Sequence, residues 1–195
     1  MYELKDREYI IVFTGPDGSG RKAVADAVGQ TFHMVKVLSH TTRAPRPAEA
    51  DGQDYHFITE EQYDRMERNG EFLESIRLGA SRYGIREEDV ANCFRTSGCL
   101  YLILNCEGAS ILKKLYGDRV VRFFIYADRS VVEERQRAKG IPEDAIQAHM
   151  SRYEQEMECQ ADCEHAYENY DLAHTVFDIT NTLEGYLKRE LVERD

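Results

Sequence analysis

A chain of 195 residues is long enough for one sizeable α/β domain with a small insertion. Its formal charge of −11 argues against a nucleic-acid-binding surface, which needs a basic face, but leaves room for a nucleotide site needing only local positive charge. With 42% hydrophobic and 31% charged residues, no apolar run of membrane-spanning length and an opening MYELKDREYI that mixes both charges, it is expected to be soluble and cytoplasmic, without a signal segment or membrane partner.

Tyr9 to Thr14 (YIIVFT) is apolar and β-branched without alternation, which predicts a strand buried on both faces of a parallel sheet. It runs into Gly15-Pro16-Asp17-Gly18-Ser19-Gly20-Arg21-Lys22, and a helix is predicted from Arg21 to about Thr31. Strand, Gly-rich loop and helix in that order is the setting of a phosphate-binding loop, where backbone N–H groups and a helix N-terminus face an anion. Against the pattern G-x-x-x-x-G-K-[ST], Gly15 and Gly20 keep the spacing, while Arg21 takes the lysine position and Lys22 the hydroxyl position. Arginine is bulkier and planar where lysine is a slim point charge, and a lysine at the hydroxyl position repels Mg²⁺. A ligand-free βα turn is the competing reading of this loop.

A short strand is predicted at Val35 to Leu38, then the stretch SHTTRAPRPAEADGQDYHF from Ser39 to Phe57. Arg43 and Arg46 stand three apart, with Pro45 and Pro47 stiffening the backbone between and after them. Guanidinium forks match phosphate oxygens in pairs, so the stretch is either an anion clamp or a solvated, turn-rich loop. Beyond it come strands at Asp54 to Ile58 and Glu71 to Arg77, a helix from Thr59 to about Arg68, a turn from Gly79 to Gly84 and a helix from about Arg86 to Arg95. Cys99 to Asn105 is again an apolar strand, and Val120 to Tyr126 a further strand. Helices are predicted at Glu107 to Tyr116, Arg129 to Lys139, Glu143 to about Asn169 and Leu183 to Val192, with a last strand at Thr175 to Ile179. The alternation predicts a parallel sheet covered on both sides, with ligands at the carboxyl ends of its strands.

The five cysteines, at 93, 99, 106, 159 and 163, fit a reducing compartment. Cys159, Cys163 and His165 lack a further ligand and a tight Cys pair, so they are expected to share one helix face by coincidence, and no metal site is predicted.

SHTTRAPRPAEADGQDYHF, followed by EFLE, RYG, NCEGA and VVEERQRAKG at the same spacing and order, closely resembles the guanylate kinases over about Tyr9 to Thr182. The resemblance implies a P-loop-type α/β fold over residues 1–195: a core of about 1–38 and 99–195, an inserted β-rich GMP-binding subdomain of about 39–98 and a helical lid of about 139–160. It implies that Arg43, Arg46, Tyr55 and Tyr83 hold the GMP phosphate and that Ser39 and Glu74 face guanine, with Glu49 buttressing the loop or touching the nucleotide. It implies that Gly15, Gly18, Ser19, Gly20, Arg21 and Lys22 meet ATP. Arg135 would stabilise the phosphoryl in flight, with Arg46 beside it and Lys139 standing where a second lid arginine is usual.

The departures fall on the donor half. Arg21 and Lys22 replace the lysine and the hydroxyl, Ile103 and Asn105 stand where an Asp-x-Asp pattern is usual, and His149 replaces a third lid arginine, with Arg152 one turn away. On the acceptor half, Ala48 and Ile85 are the exceptions. Loss of one positioning group costs roughly 10²–10³ in rate. The resemblance therefore implies Mg²⁺- and ATP-dependent phosphorylation of GMP to GDP, impaired at the loop. The alternatives are a non-catalytic GMP-binding regulator and a phosphopeptide-binding module in which the clamp grips a phosphoserine.

Overall fold

The continuous apolar runs become the central strands of one parallel sheet. A computed structural model describes residues 1–5 and 8–187. In it β1 (Ile10–Thr14) is buried at every residue. It pairs in parallel with β7 (Leu100–Ile103) on one side and β8 (Val120–Tyr126) on the other. Strand β2 (Val35–Lys36) extends the sheet beyond β7, and β9 (His165–Glu168) extends it beyond β8, giving the order β2-β7-β1-β8-β9. A second sheet holds β3 (His40–Thr41), β4 (His56–Phe57), β5 (Phe72–Leu78) and β6 (Ser81–Arg86) in the order β4-β3-β6-β5.

Seven helices complete the described chain: α1 (Arg21–Phe32), α2 (Glu60–Arg68), α3 (Glu87–Ser97), α4 (Cys106–Tyr116), α5 (Arg129–Ala138), α6 (Glu143–Glu158) and α7 (Leu172–Leu187). Helix α1 buries Val24, Val28 and Phe32 against Phe13 and Phe123, beside Ile179 and Leu183 of α7. On the opposite face α3 and α4 bury Val90, Phe94 and Leu112 against Val12 and Leu102. Each such side chain removed from water contributes about 1.5–3 kcal/mol, so these two layers fix where every strand end lies. Helices α5 and α6 make a smaller cluster of Val132, Ile146, Met150 and Tyr153.

Five expectations are corrected. The helix predicted over 143–169 ends at Glu158, because its apolar stripe stops there, and a 3₁₀ turn (Cys159–Asp162) leads into β9. His165 and Tyr167 stack on Phe123 from that strand. The strand predicted at Thr175–Ile179 lies inside α7, where Thr175, Ile179 and Leu183 fall four apart and face the core. The predicted terminal helix is the later part of α7, and its residues beyond Leu187 lie outside the described residues. The turn predicted through Gly84 ends by Ala80, since Ser81 onward pairs with β5.

The remaining correction concerns cysteine. Cys159 and Cys163 do not share a helix face with His165, whose Nε2 is 2.8 Å from the Tyr186 hydroxyl. Instead Cys159 is disulfide-bonded to Cys106, with Cα atoms 6.2 Å apart. The bond ties the end of α6 to the start of α4, in place of the uniformly reduced set expected.

Candidate functional site

The carboxyl ends of β1 and β7 open into a cleft of about 540 Å³ roofed by the second sheet and α6. Ser39, Arg43, Arg46, Tyr55, Glu74 and Tyr83 all line it. Asp17 and Arg21 reach it from the Gly-rich loop, and His149 and Arg152 from α6. One cavity thus gathers three segments far apart in the chain.

The clamp is built around a single carboxylate. Glu49 receives both Nη atoms of Arg43, at 2.6 and 2.7 Å, and the backbone N–H of Arg46 at 2.8 Å. Glu49 therefore lies behind the arginines rather than in the cleft wall. Arg43 Nε donates to the Tyr83 hydroxyl at 3.1 Å, and its guanidinium stacks 4.9 Å from the Tyr55 ring. The Glu49 hydrogen bonds hold the Arg43 guanidinium charged at any pH, and the same pair holds the Glu49 carboxyl below its usual range. Arg46 has no side-chain hydrogen bond among the described residues and presents its guanidinium to the cleft. These groups together make a positive, aromatic-walled anion site.

Glu74 stands at the base of the same cavity and is 3% exposed. Its Oε2 is buried without a hydrogen-bond partner. Burial pushes its pKa up to about 7, against the Ile85 backbone N–H, which lowers it, and with a small further push from Glu107. An unpaired buried carboxylate is costly, and a ligand offering two adjacent N–H donors removes that cost. Gly108, in the NCEGA segment, packs against this group: a Cβ at that position would force the Glu74 carboxylate to shift.

The Gly-rich loop has the backbone of an anion cradle, with Gly15, Gly18 and Gly20 at positive φ. Gly20 begins α1 at φ 90° and leaves no room for a side chain beside Asn169. The side chains fill this cradle differently from the usual pattern. Arg21 folds back over the loop, donating to the Gly15 carbonyl and, at 2.7 Å, to Asp17. Lys22 turns outward to Asp54 and Asp26, at 3.3 and 3.4 Å. Ser19 Oγ is buried without a partner, while the Ser19 carbonyl accepts from Asn169 at 2.8 Å and from Arg135 at 3.4 Å. Arg135 also donates to the Asn169 carbonyl at 2.8 Å, so it clips the loop to the end of β9 and does not line the cleft. Lys139 caps α5 and likewise lies outside the cleft wall.

Asp17 gathers the positive charge of this side. Burial raises its pKa, but Arg21, His149, Arg152 and Arg46 together outweigh burial and hold it ionised below its ordinary value. Gln136 connects the set, its Nε2 3.4 Å from the Asp17 carbonyl and its Oε1 2.6 Å from His149 Nδ1. Asn105, at the end of β7, accepts from the Gly108 N–H at 2.9 Å and so caps α4. It performs the local structural work that a carboxylate there would perform, without the charge. Asn169 and Gln136 escaped sequence reasoning because no local motif marks them. The Cys106–Cys159 pair escaped it because the two residues meet only through the packing of α6.

The guanylate kinase family model matches residues 6–186. The chain is 33% identical over 176 residues to a guanylate kinase of Rubrobacter xylanophilus, covering 86% of this chain and 90% of that one. It is 28% identical over 174 residues to a guanylate kinase of Rickettsia bellii, covering 88% and 91%. The crystal structure of guanylate kinase from Anaplasma phagocytophilum shares the fold, with a TM-score of 0.77 at 23% identity over 96% of this chain and 90% of that one. A clamp, a buried carboxylate and a Gly-rich loop around one cleft, matched in sequence over nearly the whole chain, place this protein in the guanylate kinase family.

Proposed function

We propose that this chain binds GMP in the cleft and transfers phosphate to it from ATP only weakly. The buried Glu74 carboxylate below the clamp carries the reading: its Oε2 has no hydrogen-bond partner, and the guanine edge offers N1–H and the exocyclic amine side by side to such an acceptor. Ser39 faces the base beside it. The phosphate sits against Arg46, Arg43, Tyr55 and Tyr83, with Glu49 holding the loop.

On the donor side, Gly15 to Lys22 meets the ATP phosphates with Arg21 already bonded across the cradle. An ATP phosphate has to displace those bonds. Mg²⁺ arrives with ATP, but this loop does not fit it in the usual way. Lys22 puts an ammonium at the hydroxyl position, and Ile103 and Asn105 bring no carboxylate. Residues 139–160 act as a lid, placing His149 and Arg152 over the cleft, and the Cys106–Cys159 bond limits how far it opens. Arg135 would have to leave its carbonyl partners to reach a phosphoryl in flight. Binding without efficient turnover also suits a regulator that senses GMP.

Calorimetry with GMP and with ATP separately, beside a coupled assay with ATP, GMP and Mg²⁺, tests this. We expect GMP binding with turnover at least ~100-fold below the 1–100 s⁻¹ ordinary for kinases. Turnover inside that range overturns the impairment, and absence of GMP binding overturns the reading as a whole.

A further inference from the structure

We propose that His40, His56 and Asp89 form a binding site for a divalent transition metal, Zn²⁺ foremost, behind the clamp on the far side of β3 and β4. One ligand atom from each lies within 4.8 Å of the other two. His40 is 7% exposed, and its Nδ1 has no hydrogen-bond partner. Asp89 Oδ2 is also buried and unpartnered, 3.9 Å from that nitrogen. That separation is too long for a hydrogen bond and fits two atoms each about 2.0–2.2 Å from a shared metal. The two imidazoles lie side by side, with ring centroids 4.6 Å apart. Two buried polar atoms without hydrogen-bond partners thus stand close together, and such groups call for a polar partner.

The chemistry selects the occupant. Two imidazoles and one carboxylate suit Zn²⁺ and its first-row neighbours, whereas Mg²⁺ prefers an all-oxygen shell. The site is therefore separate from any ion that ATP carries. Arg86 is a neighbouring cation, its Nη1 3.9 Å from the other Asp89 oxygen; its Nη2 is engaged by Glu71 and Glu88 at 3.2 and 2.8 Å, and its buried Nε has no hydrogen-bond partner. Three protein ligands leave a fourth position for water. The placement has a consequence for the cleft. His40 opens β3 directly after Ser39, and His56 opens β4 directly after Tyr55, and both of those preceding residues line the cleft. A metal here would pin β3 to β4 and to α3, and so fix the backbone that presents Ser39 and Tyr55 to GMP. Sequence spacing hides the set, because the three residues come from two strands and a helix.

The test is titration of untagged, EDTA-treated full-length protein with CoCl₂, followed by competition with ZnCl₂. One Co²⁺ per chain is expected, with a visible d–d band and no sulfur-to-cobalt charge-transfer band, and millimolar Mg²⁺ should leave it in place. Asp89→Asn and His56→Gln sit at partly exposed positions that folding tolerates. Each should weaken Zn²⁺ by more than the roughly 10–100-fold that an outer-shell partner is worth. Cys93→Ser, on the same helix as Asp89, should change nothing. Zn²⁺ should also raise the Tm of the parent chain and not that of Asp89→Asn. Three outcomes overturn the proposal: no stoichiometric metal, a thiolate charge-transfer band, or affinity unchanged in Asp89→Asn.

Discussion

On the acceptor side of the cleft, Arg43 is held from behind by Glu49, while Tyr55, Tyr83 and the unpaired Arg46 face the cavity. On the proposed donor side, Arg21 is held by its own loop, through the Gly15 carbonyl and Asp17. Both regions contain arginines, acids and a loop of unusual backbone. They differ in where the acid stands. A carboxylate behind an arginine aims it and leaves the cavity open, whereas partners inside the cradle occupy the space a phosphate needs. On the proposed reading, the same residue types make a binding site in one place and a self-occupied loop in the other.

The contrast breaks most sharply at Glu74. Glu74→Gln replaces an acceptor pair with an amide and should weaken GMP by about 100–1000-fold, read by calorimetry. The same change should raise the stability of the unliganded protein by about 1–3 kcal/mol above pH 7, because an unpaired buried charge is gone. Its pH signature follows from the raised pKa. Between the ordinary 4.5 and the folded value of about 7, the folded chain holds a proton that the unfolded chain has lost. Stability of the parent therefore falls as pH rises through that window, by up to about 3 kcal/mol, and Glu74→Gln should flatten the fall in denaturant titrations. GMP affinity should rise with pH over the same window in the parent and rise less in the variant.

The donor side is tested by repair. Arg21→Lys with Lys22→Ser should raise kcat by about 100-fold while leaving the GMP Kd within about twofold. An unchanged kcat would assign the block to Ile103 and Asn105 or to Arg135, and the plugged loop would be a consequence rather than a cause. A smaller effect is expected at the buttress. Glu49→Gln loses the charge-assisted fork to Arg43 and should weaken GMP by about 10-fold, with a loss of roughly 1 kcal/mol in stability. Tighter GMP binding in that variant would mean that Glu49 competes with the phosphate, and the two arginine sites would no longer differ in kind.

Sequence made this contrast visible before the fold did, though unevenly. The strand Val120–Tyr126 is legible residue for residue because burial on both faces leaves a run that is apolar but for Arg122, which pairs with Glu164. Strand β9 is not, because His165 and Tyr167 are half-buried and interleaved with exposed Ala166 and Glu168, and a polar helix precedes them. Thr175–Ile179 misleads for the opposite reason: its β-branched residues suit a strand locally, and only the four-residue spacing to Leu183 shows the helix. In the site, Arg43, Glu49 and Tyr55 lie within one stretch and could be grouped from sequence. Asn169 and Gln136 reach the Gly-rich loop from 150 and 119 residues away, and such contacts leave no local periodicity to find. The folding back of Arg21 was equally hidden, since the residue type was legible and its direction was not.

The smallest expected effect sharpens the acceptor side most finely. Ser39 is 8% exposed and lies in the cleft wall beside Glu74, at the end of the strand that carries the clamp. A neutral hydroxyl contributes one ordinary hydrogen bond to a bound base, about 0.5–1.5 kcal/mol, so Ser39→Ala should weaken GMP by roughly 3–10-fold. The base edge it reads can be separated from the edge read by Glu74 by using IMP, which keeps the ring carbonyl and N1–H of GMP but lacks the exocyclic amine. If Ser39 serves the carbonyl edge, Ser39→Ala weakens GMP and IMP equally and preserves their ratio, whereas Glu74→Gln shrinks that ratio. A loss above about 100-fold for Ser39→Ala would exceed anything one neutral hydrogen bond supplies. It would mean that the serine side chain holds the start of β3 in place, since any shift of that backbone, whose carbonyl accepts the His56 N–H at 2.9 Å, moves the whole clamp.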